Sequence, residues 1–126
     1  MDRVVRFEIP AKNFERARYF YYHVFGWDIK RIFLGKDEYL NARTVGVNER
    51  GLPNEPGTIN GAIIKKTKVA AYPTVIVNVR SLDEALTKIK KHGGKILMRR
   101  RKIPFFGSYT RVKDSEGNVI GLWENI

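Results

Sequence analysis

The sequence predicts an α+β fold of two tandem βαβββ units, over residues 1–68 and 72–126, forming a single domain. Three observations carry it. Val5, Phe7 and Ile9 alternate as a strand and return 70 positions later as Val75, Val77 and Val79. Phe14, Ala17 and Gly26 return 68 positions later as Leu82, Ala85 and Gly94. Gly57 to Ile64 returns 60 positions later as Gly117 to Glu124, each copy a Gly-x-x-x-Gly stretch. One unit has too little core to stand alone, so the two are expected to pack side by side. Helices on the outer faces and curved sheets enclosing a cleft complete the expectation.

Each element has a local reason. Val4 to Ile9 reads as the first strand. Asn13 then caps a helix whose apolar stripe is Ala17, Phe20, Tyr21, Val24 and Phe25, and Gly26 ends it. Trp27 to Leu34 and Tyr39 to Val47 read as strands joined by a turn at Gly35-Lys36-Asp37. Residues 48–57 hold Gly51, Pro53, Pro56 and Gly57, a loop before the first Gly-x-x-x-Gly strand. The second unit opens with the strand Thr74 to Val79. Ser81-Leu82-Asp83-Glu84 is a capping box, and Leu82, Ala85, Leu86 and Ile89 form the stripe of a helix ended by Gly93-Gly94. Ile96 to Met98, Tyr109 to Val112 and Val119 to Trp123 are the remaining strands. Asp114-Ser115-Glu116-Gly117 is turn chemistry between the last two.

Composition narrows the function classes. The 126 residues contain no cysteine, which excludes disulfides, thiolate nucleophiles and Cys-metal sites. No apolar run approaches the ~20 residues of a membrane span and no signal-peptide pattern opens the chain, so a cytoplasmic protein without a membrane partner is expected. Lys and Arg number 24 against 13 acids, a net charge of +11. Lys88, Lys90, Lys91, Lys95, Arg99, Arg100, Arg101 and Lys102 follow one another with no acid between them. Such a patch can draw nucleic acid, but no nucleic-acid motif accompanies it, and a solvated face is the favoured reading.

Several stretches resemble the vicinal oxygen chelate superfamily of glyoxalase I, bleomycin-resistance proteins and extradiol dioxygenases. They are Phe7-Glu8-Ile9-Pro10, Glu15-Arg16-Ala17, Tyr22-His23-Val24-Phe25-Gly26-Trp27, His92-Gly93-Gly94 and Lys113 to Trp123. The resemblance covers nearly the whole chain and implies the same paired units. It implies a homodimer as well. In metal-dependent members, His, Gln or Glu side chains on four strands hold one divalent ion. The positions carried over here are Val4, Gly61, Thr74 and Gly121, which supply at most one hydroxyl. His23 and His92, the only histidines, fall at helix ends, where surface or capping roles are the rule. No metal and no other cofactor is therefore expected.

The candidate ligand contacts are Arg6, Glu8, Gly61, Thr74, Asn78, Gly121 and Trp123, placed on one side by period-two parity. Gly61 and Gly121 are expected to leave room for a small molecule against the strand. Tyr109 and Arg111 are further contacts from the neighbouring strand, and Pro104-Phe105-Phe106-Gly107 is either a lip over the cleft or a hairpin loop packed on the core. For each residue, plain packing or ion pairing competes with ligand contact. The expected function is a metal-free small-molecule binding protein, with an anion among the candidate ligands. The alternative is a lyase, isomerase or dioxygenase with an atypical site, or acid–base chemistry with Glu8 as base. No Ser-His-Asp or Cys-His set and no phosphate-binding glycine loop favours the enzyme.

Overall fold

The computed structural model describes residues 1–126. Its elements, in chain order, are β1 (Arg3–Ala11), α1 (Phe14–Phe25), β2 (Asp28–Leu34), β3 (Asp37–Arg43), β4 (Gly61–Lys65), β5 (Thr74–Asn78), α2 (Leu82–Lys91), β6 (Lys95–Ile96), β7 (Arg101–Ile103), β8 (Gly107–Lys113) and β9 (Val119–Asn125). The fold is α+β. Two compact units are present, Arg6–Pro73 and Thr74–Ile126, the second together with Met1–Val5. Neither helix is long and apolar enough to cross a membrane.

In the unit Arg6–Pro73 the strand order is β2-β3-β4-β1. β1 and β4 are parallel, so a crossover must join them, and it carries α1, β2 and β3. Strand register sets the core. Ile29, Ala42, Gly61 and Phe7 form one row across the sheet, and Arg31, Leu40, Ile63 and Ile9 the next. These rows face α1, where Phe14, Ala17 and Tyr21 pack on Ile29, Leu40, Ala42 and Ile63. The helix starts where the Asn13 side chain accepts the Arg16 amide at 2.9 Å. It stops where Gly26 adopts a left-handed φ of 74°. The chain then doubles back, stacking Trp27 on Tyr21 with centroids 4.8 Å apart, and Trp27 also touches Phe7 at 5.4 Å. Arg31 ties helix to sheet, donating to Glu15 at 2.8 Å and pairing with Glu38 at 2.7 Å.

Two expectations are corrected here. The stripe of α1 is wider than the sheet beneath it, so Phe20, Val24 and Phe25 lie exposed instead of packed. The first Gly-x-x-x-Gly stretch is not one strand: β4 begins only at Gly61, and Gly57 turns with a φ of 78°. Asn60, ahead of that strand, clamps the preceding loop by accepting the Thr44 and Val45 amides at 2.7 and 3.1 Å.

In the other unit β5 pairs with β9, β9 with β8, and both β6 and β7 pair with β8. Val79, Leu82, Val112 and Leu122 are its buried core, with Val77, Ala85, Leu86, Ile89 and Ile120 packed against them. The Ser81 hydroxyl caps α2 by accepting the Glu84 amide at 3.2 Å. After the helix, Gly94 lies so close to Ile89 and the Lys113 carbonyl that a Cβ there would approach within 2.6 Å of both. The β8–β9 turn is built on Asp114. One carboxylate oxygen accepts the amides of Glu116 at 2.8 Å and Asn118 at 2.9 Å, and the other accepts the Asn118 side chain at 3.1 Å. These bonds, the Asn118 amide foremost, hold the carboxyl below its ordinary pKa of 3.8.

β7 falls inside the basic run, where composition suggested only a solvated face. Arg101 and Lys102 run along β8, while Arg100 turns aside to bond Asp83 of α2. Its cationic side chains suit a three-residue strand on an outer edge, since charge there discourages pairing with other chains. The β7–β8 tip is not packed on the core either. Phe106 donates its amide to the Ile103 carbonyl at 3.1 Å, closing a turn in which Phe105 has a φ of 71° and is 88% exposed.

Candidate functional site

The face of the β5-β9-β8 sheet turned away from α2 gathers most of the candidate residues. Val77, Leu122 and Val112 point to the helix, so their neighbours along each strand point the other way. Ile76, Gly121 and Arg111 form one row, and Asn78, Trp123, Tyr109 and Arg101 the next. Arg111 is 5% exposed, a buried cation on this face. Arg101 donates to the Tyr109 hydroxyl at 3.1 Å, with its guanidinium carbon 5.7 Å from that ring's centroid. The Trp123 indole N–H donates to Asn125 at 2.6 Å, leaving the ring as a wall. Thus Asn78, Gly121 and Trp123 share a face as their parity predicts, Tyr109 and Arg111 lie on it from the neighbouring strand, and Arg101 joins them unannounced. The period-two position of Arg101 across from Tyr109 held the signal, hidden within the charge run.

Thr74 and Asn78 serve first as ties between strands. The Thr74 hydroxyl bonds the Val119 carbonyl, and the Asn78 amide donates to the Trp123 carbonyl at 3.1 Å. Both side chains therefore span from β5 to β9.

The two glycines do not vacate space. A Cβ on Gly121 would stand 2.2 Å from Cδ1 of Ile76, whose side chain already fills that place. Gly61 faces the opposite way from expectation. It pairs with Phe7 on the helix-facing side, and a Cβ there would come within 2.3 Å of the Phe7 carbonyl and 2.6 Å of its ring. The 60-residue offset is one short in register, because Phe7 pairs with Gly61 whereas its counterpart Val77 pairs with Leu122. Asn60, not Gly61, occupies the register of Gly121. In the unit Arg6–Pro73 the sheet face away from α1 carries Arg6 and Glu8, with Ala62 and Asn41 in the row of Glu8. Tyr39 shares that face with Asn41. Sequence reasoning passed over both, although Tyr39-Leu40-Asn41-Ala42 alternates with period two.

The residues present do not fit the divalent ion of metal-dependent superfamily members. No three His, Asp or Glu side chains cluster to hold a metal. Val4 and the two glycines have no donor atom, Gly61 faces the helix, and the Thr74 hydroxyl is engaged with a carbonyl. The histidines are exposed at helix ends: His92 Nδ1 lies 2.8 Å from the Lys88 carbonyl, and the His23 ring packs 4.1 Å from Tyr19.

Comparison with known proteins agrees with this architecture. A hypothetical protein from Bacillus halodurans superposes with a TM-score of 0.68 at 10% identity, over 99% of this chain and 95% of that one. Streptomyces coelicolor methylmalonyl-CoA epimerase, in complex with 2-nitronate-propionyl-CoA, gives 0.67 at 11% identity over 98% and 94%. An uncharacterized protein from Methanosarcina mazei gives 0.57 at 18% identity over 98% and 94%. At these identities the likeness is one of fold. No curated protein matches the chain. The first unit has the expected βαβββ order, whereas the second carries four strands after α2, because β7 is added to β6, β8 and β9. Residues 3–122 match the Glyoxalase/Bleomycin resistance protein/Dioxygenase superfamily, so the chain belongs to that superfamily.

Proposed function

We propose that this chain is a metal-free binding protein for a small anionic molecule, held on the face of the β5-β9-β8 sheet turned away from α2, and that it works as a homodimer. The observation that carries the reading is Arg111, buried to 5% exposure in the sheet face that also bears Tyr109 and Trp123. A guanidinium in a partly dry, aromatic setting recognises carboxylate or phosphate in two-pronged fashion and strengthens as water is excluded. Arg101 adds a second cation on that face, and the net charge of +11 steers anions inward. A second reading is acid–base catalysis with Glu8 as base. It draws on the carboxylate's place beside Ala62 and Asn41 on the face of its own sheet away from α1. Nucleic acid has only the 88–102 charge run in its favour.

Isothermal calorimetry against mono- and dicarboxylates, phosphate esters and acyl thioesters of coenzyme A tests the proposal. Binding of one anionic class, weakened at least tenfold by Arg111→Lys and unaffected by chelator, is the expected result. Equal binding by neutral and anionic members, or no effect of the substitution, would sink it. Turnover of a bound compound that stops in Glu8→Gln would move the assignment to the enzyme.

A further inference from the structure

We infer that the β7–β8 tip, with the basic arm leading into it, docks this protein on an anionic phospholipid surface. Ile103-Pro104-Phe105-Phe106 is a run of four residues without a polar side chain. Phe105 is 88% exposed and Phe106 59%. Ile126, 81% exposed, stands beside them, since its amide donates to the Phe106 carbonyl at 3.1 Å. Three large apolar side chains are thus bare at one end of the unit Thr74–Ile126, and none belongs to that unit's core. Phe105 also holds a left-handed φ of 71°, which costs a residue with a Cβ. A ring that buries nothing and strains its own turn does nothing for the fold. Its use lies in what it meets outside.

Charge and hydrogen bonding select lipid as the occupant. No acid occurs between Glu84 and Asp114, and Arg99, Arg100, Arg101 and Lys102 lead directly into the tip. Arg100 bonds Asp83 and Arg101 bonds Tyr109, so Arg99 and Lys102 are the exposed cations behind the apex. Glu124, paired with Ser108, is the acid that strand pairing sets nearest the tip, and the cations outnumber it. An apolar point backed by cations matches the layers of an anionic bilayer, hydrocarbon beneath phosphate. The turn's backbone suits that depth. Pro104 has no amide hydrogen, while Phe106 donates to Ile103 and accepts from Ile126, each at 3.1 Å. A single-stranded nucleic acid would instead use rings laid along a groove with cations at their side. The expectation of no membrane partner rests on the want of a spanning segment, which a peripheral contact does not need.

Sedimentation of the full chain with vesicles of equal parts phosphatidylcholine and phosphatidylserine, against vesicles of phosphatidylcholine alone, tests the inference. The natural protein should go down with the mixed vesicles and stay in solution with the neutral ones. Phe105→Gly, which relieves the turn, should weaken that binding roughly tenfold or more through loss of the inserted ring. Arg99→Gln with Lys102→Gln should weaken it roughly twentyfold, since each cation near such a surface is worth about fivefold. Phe105→Trp should keep the binding and place an indole that brominated acyl chains quench. Absence of binding to the mixed vesicles, or undiminished binding by Phe105→Gly, overturns the inference. So does an indole in Phe105→Trp that brominated chains leave unquenched, which would put the tip outside the hydrocarbon. Binding of single-stranded oligothymidylate that Phe105→Gly weakens, without sedimentation on vesicles, overturns it in favour of nucleic acid.

Discussion

Gly61 lies directly beside Phe7 on the parallel β1–β4 pair, and a Cβ on it would meet both the Phe7 carbonyl oxygen and the Phe7 ring. Backbone on one side and a ring pinned against Trp27 on the other cannot both give way. Gly61→Ala should therefore cost about 2–3 kcal/mol, the upper range for overpacking. The obstacle at Gly121 is only Cδ1 of Ile76, the far end of a flexible side chain. Gly121→Ala should cost about 1 kcal/mol or less. Adding Ile76→Val, which removes that atom, should recover most of the loss. Urea titration of the two single variants and the pair measures this coupling. Equal costs at the two glycines would contradict the assigned registers.

The same pair marks the boundary of what the sequence reveals. Asn13 and Ser81 were legible as N-caps because such a cap is decided by the residue and the next three amides, and Gly26 as a C-cap because the left-handed backbone there favours glycine. The shared face of Asn78, Gly121 and Trp123 was legible because period two fixes parity within a strand. Gly61 was not, because its direction depends on which residue of a distant strand it pairs with. The repeat suggested an offset one residue away from the register that forms. Phe20, Val24 and Phe25 were misread for a related reason. Helical spacing shows that a stripe is apolar, not how wide a sheet waits beneath it. β7 was hidden because an edge strand made of Arg and Lys has the composition of a loop.

Phe105 occupies the third position of a turn opened by Ile103 and Pro104, where a φ of 71° favours glycine. Its ring is 88% exposed, so removing it forfeits little packing. The left-handed backbone costs a non-glycine residue about 1–2 kcal/mol, and glycine loses part of that advantage to its freer unfolded chain. Phe105→Gly should stabilise the protein by about 0.5–1 kcal/mol. Phe105→Ala should be near neutral, since it keeps the Cβ. A stability gain of equal size in both would show that the ring, rather than the backbone, carries the strain.

Asp114 makes the β8–β9 turn sensitive to acid. Its pKa is depressed in the folded state by the amides of Asn118 and Glu116. A depressed carboxylate contributes stability that is fully present above its unfolded pKa and is lost as pH falls through the folded value. The contribution should therefore be constant at neutral pH, begin to fall near 3.8 and vanish below the folded value. Asp114→Asn keeps an acceptor oxygen but no charge. Its urea midpoint should lie below that of the natural protein at pH 7, and the two should converge as pH drops below about 4. A gap that stays constant down to pH 2 would remove the charge from the explanation.

Divalent metals should leave the melting temperature unchanged. A tight site must replace the water it strips from the ion with several donors of its own. Here His, Asp and Glu side chains nowhere gather in threes, His23 and His92 are exposed at the ends of different helices, and Thr74 gives its hydroxyl to a backbone carbonyl. Zinc, nickel, manganese or iron(II) bound at a hundred times its Kd would stabilise the fold by about 2.7 kcal/mol. In a chain of this size that is a rise of several degrees. Calorimetric scans with each ion, against the same buffer with chelator, should superimpose. The surface histidines supply an internal control, because His23→Gln with His92→Gln should leave every scan unmoved. A rise of several degrees that survives this double substitution would mean that carboxylates, with Glu8 foremost, assemble a site on binding. Acid–base catalysis would then become the stronger reading of the sheet face that bears Glu8.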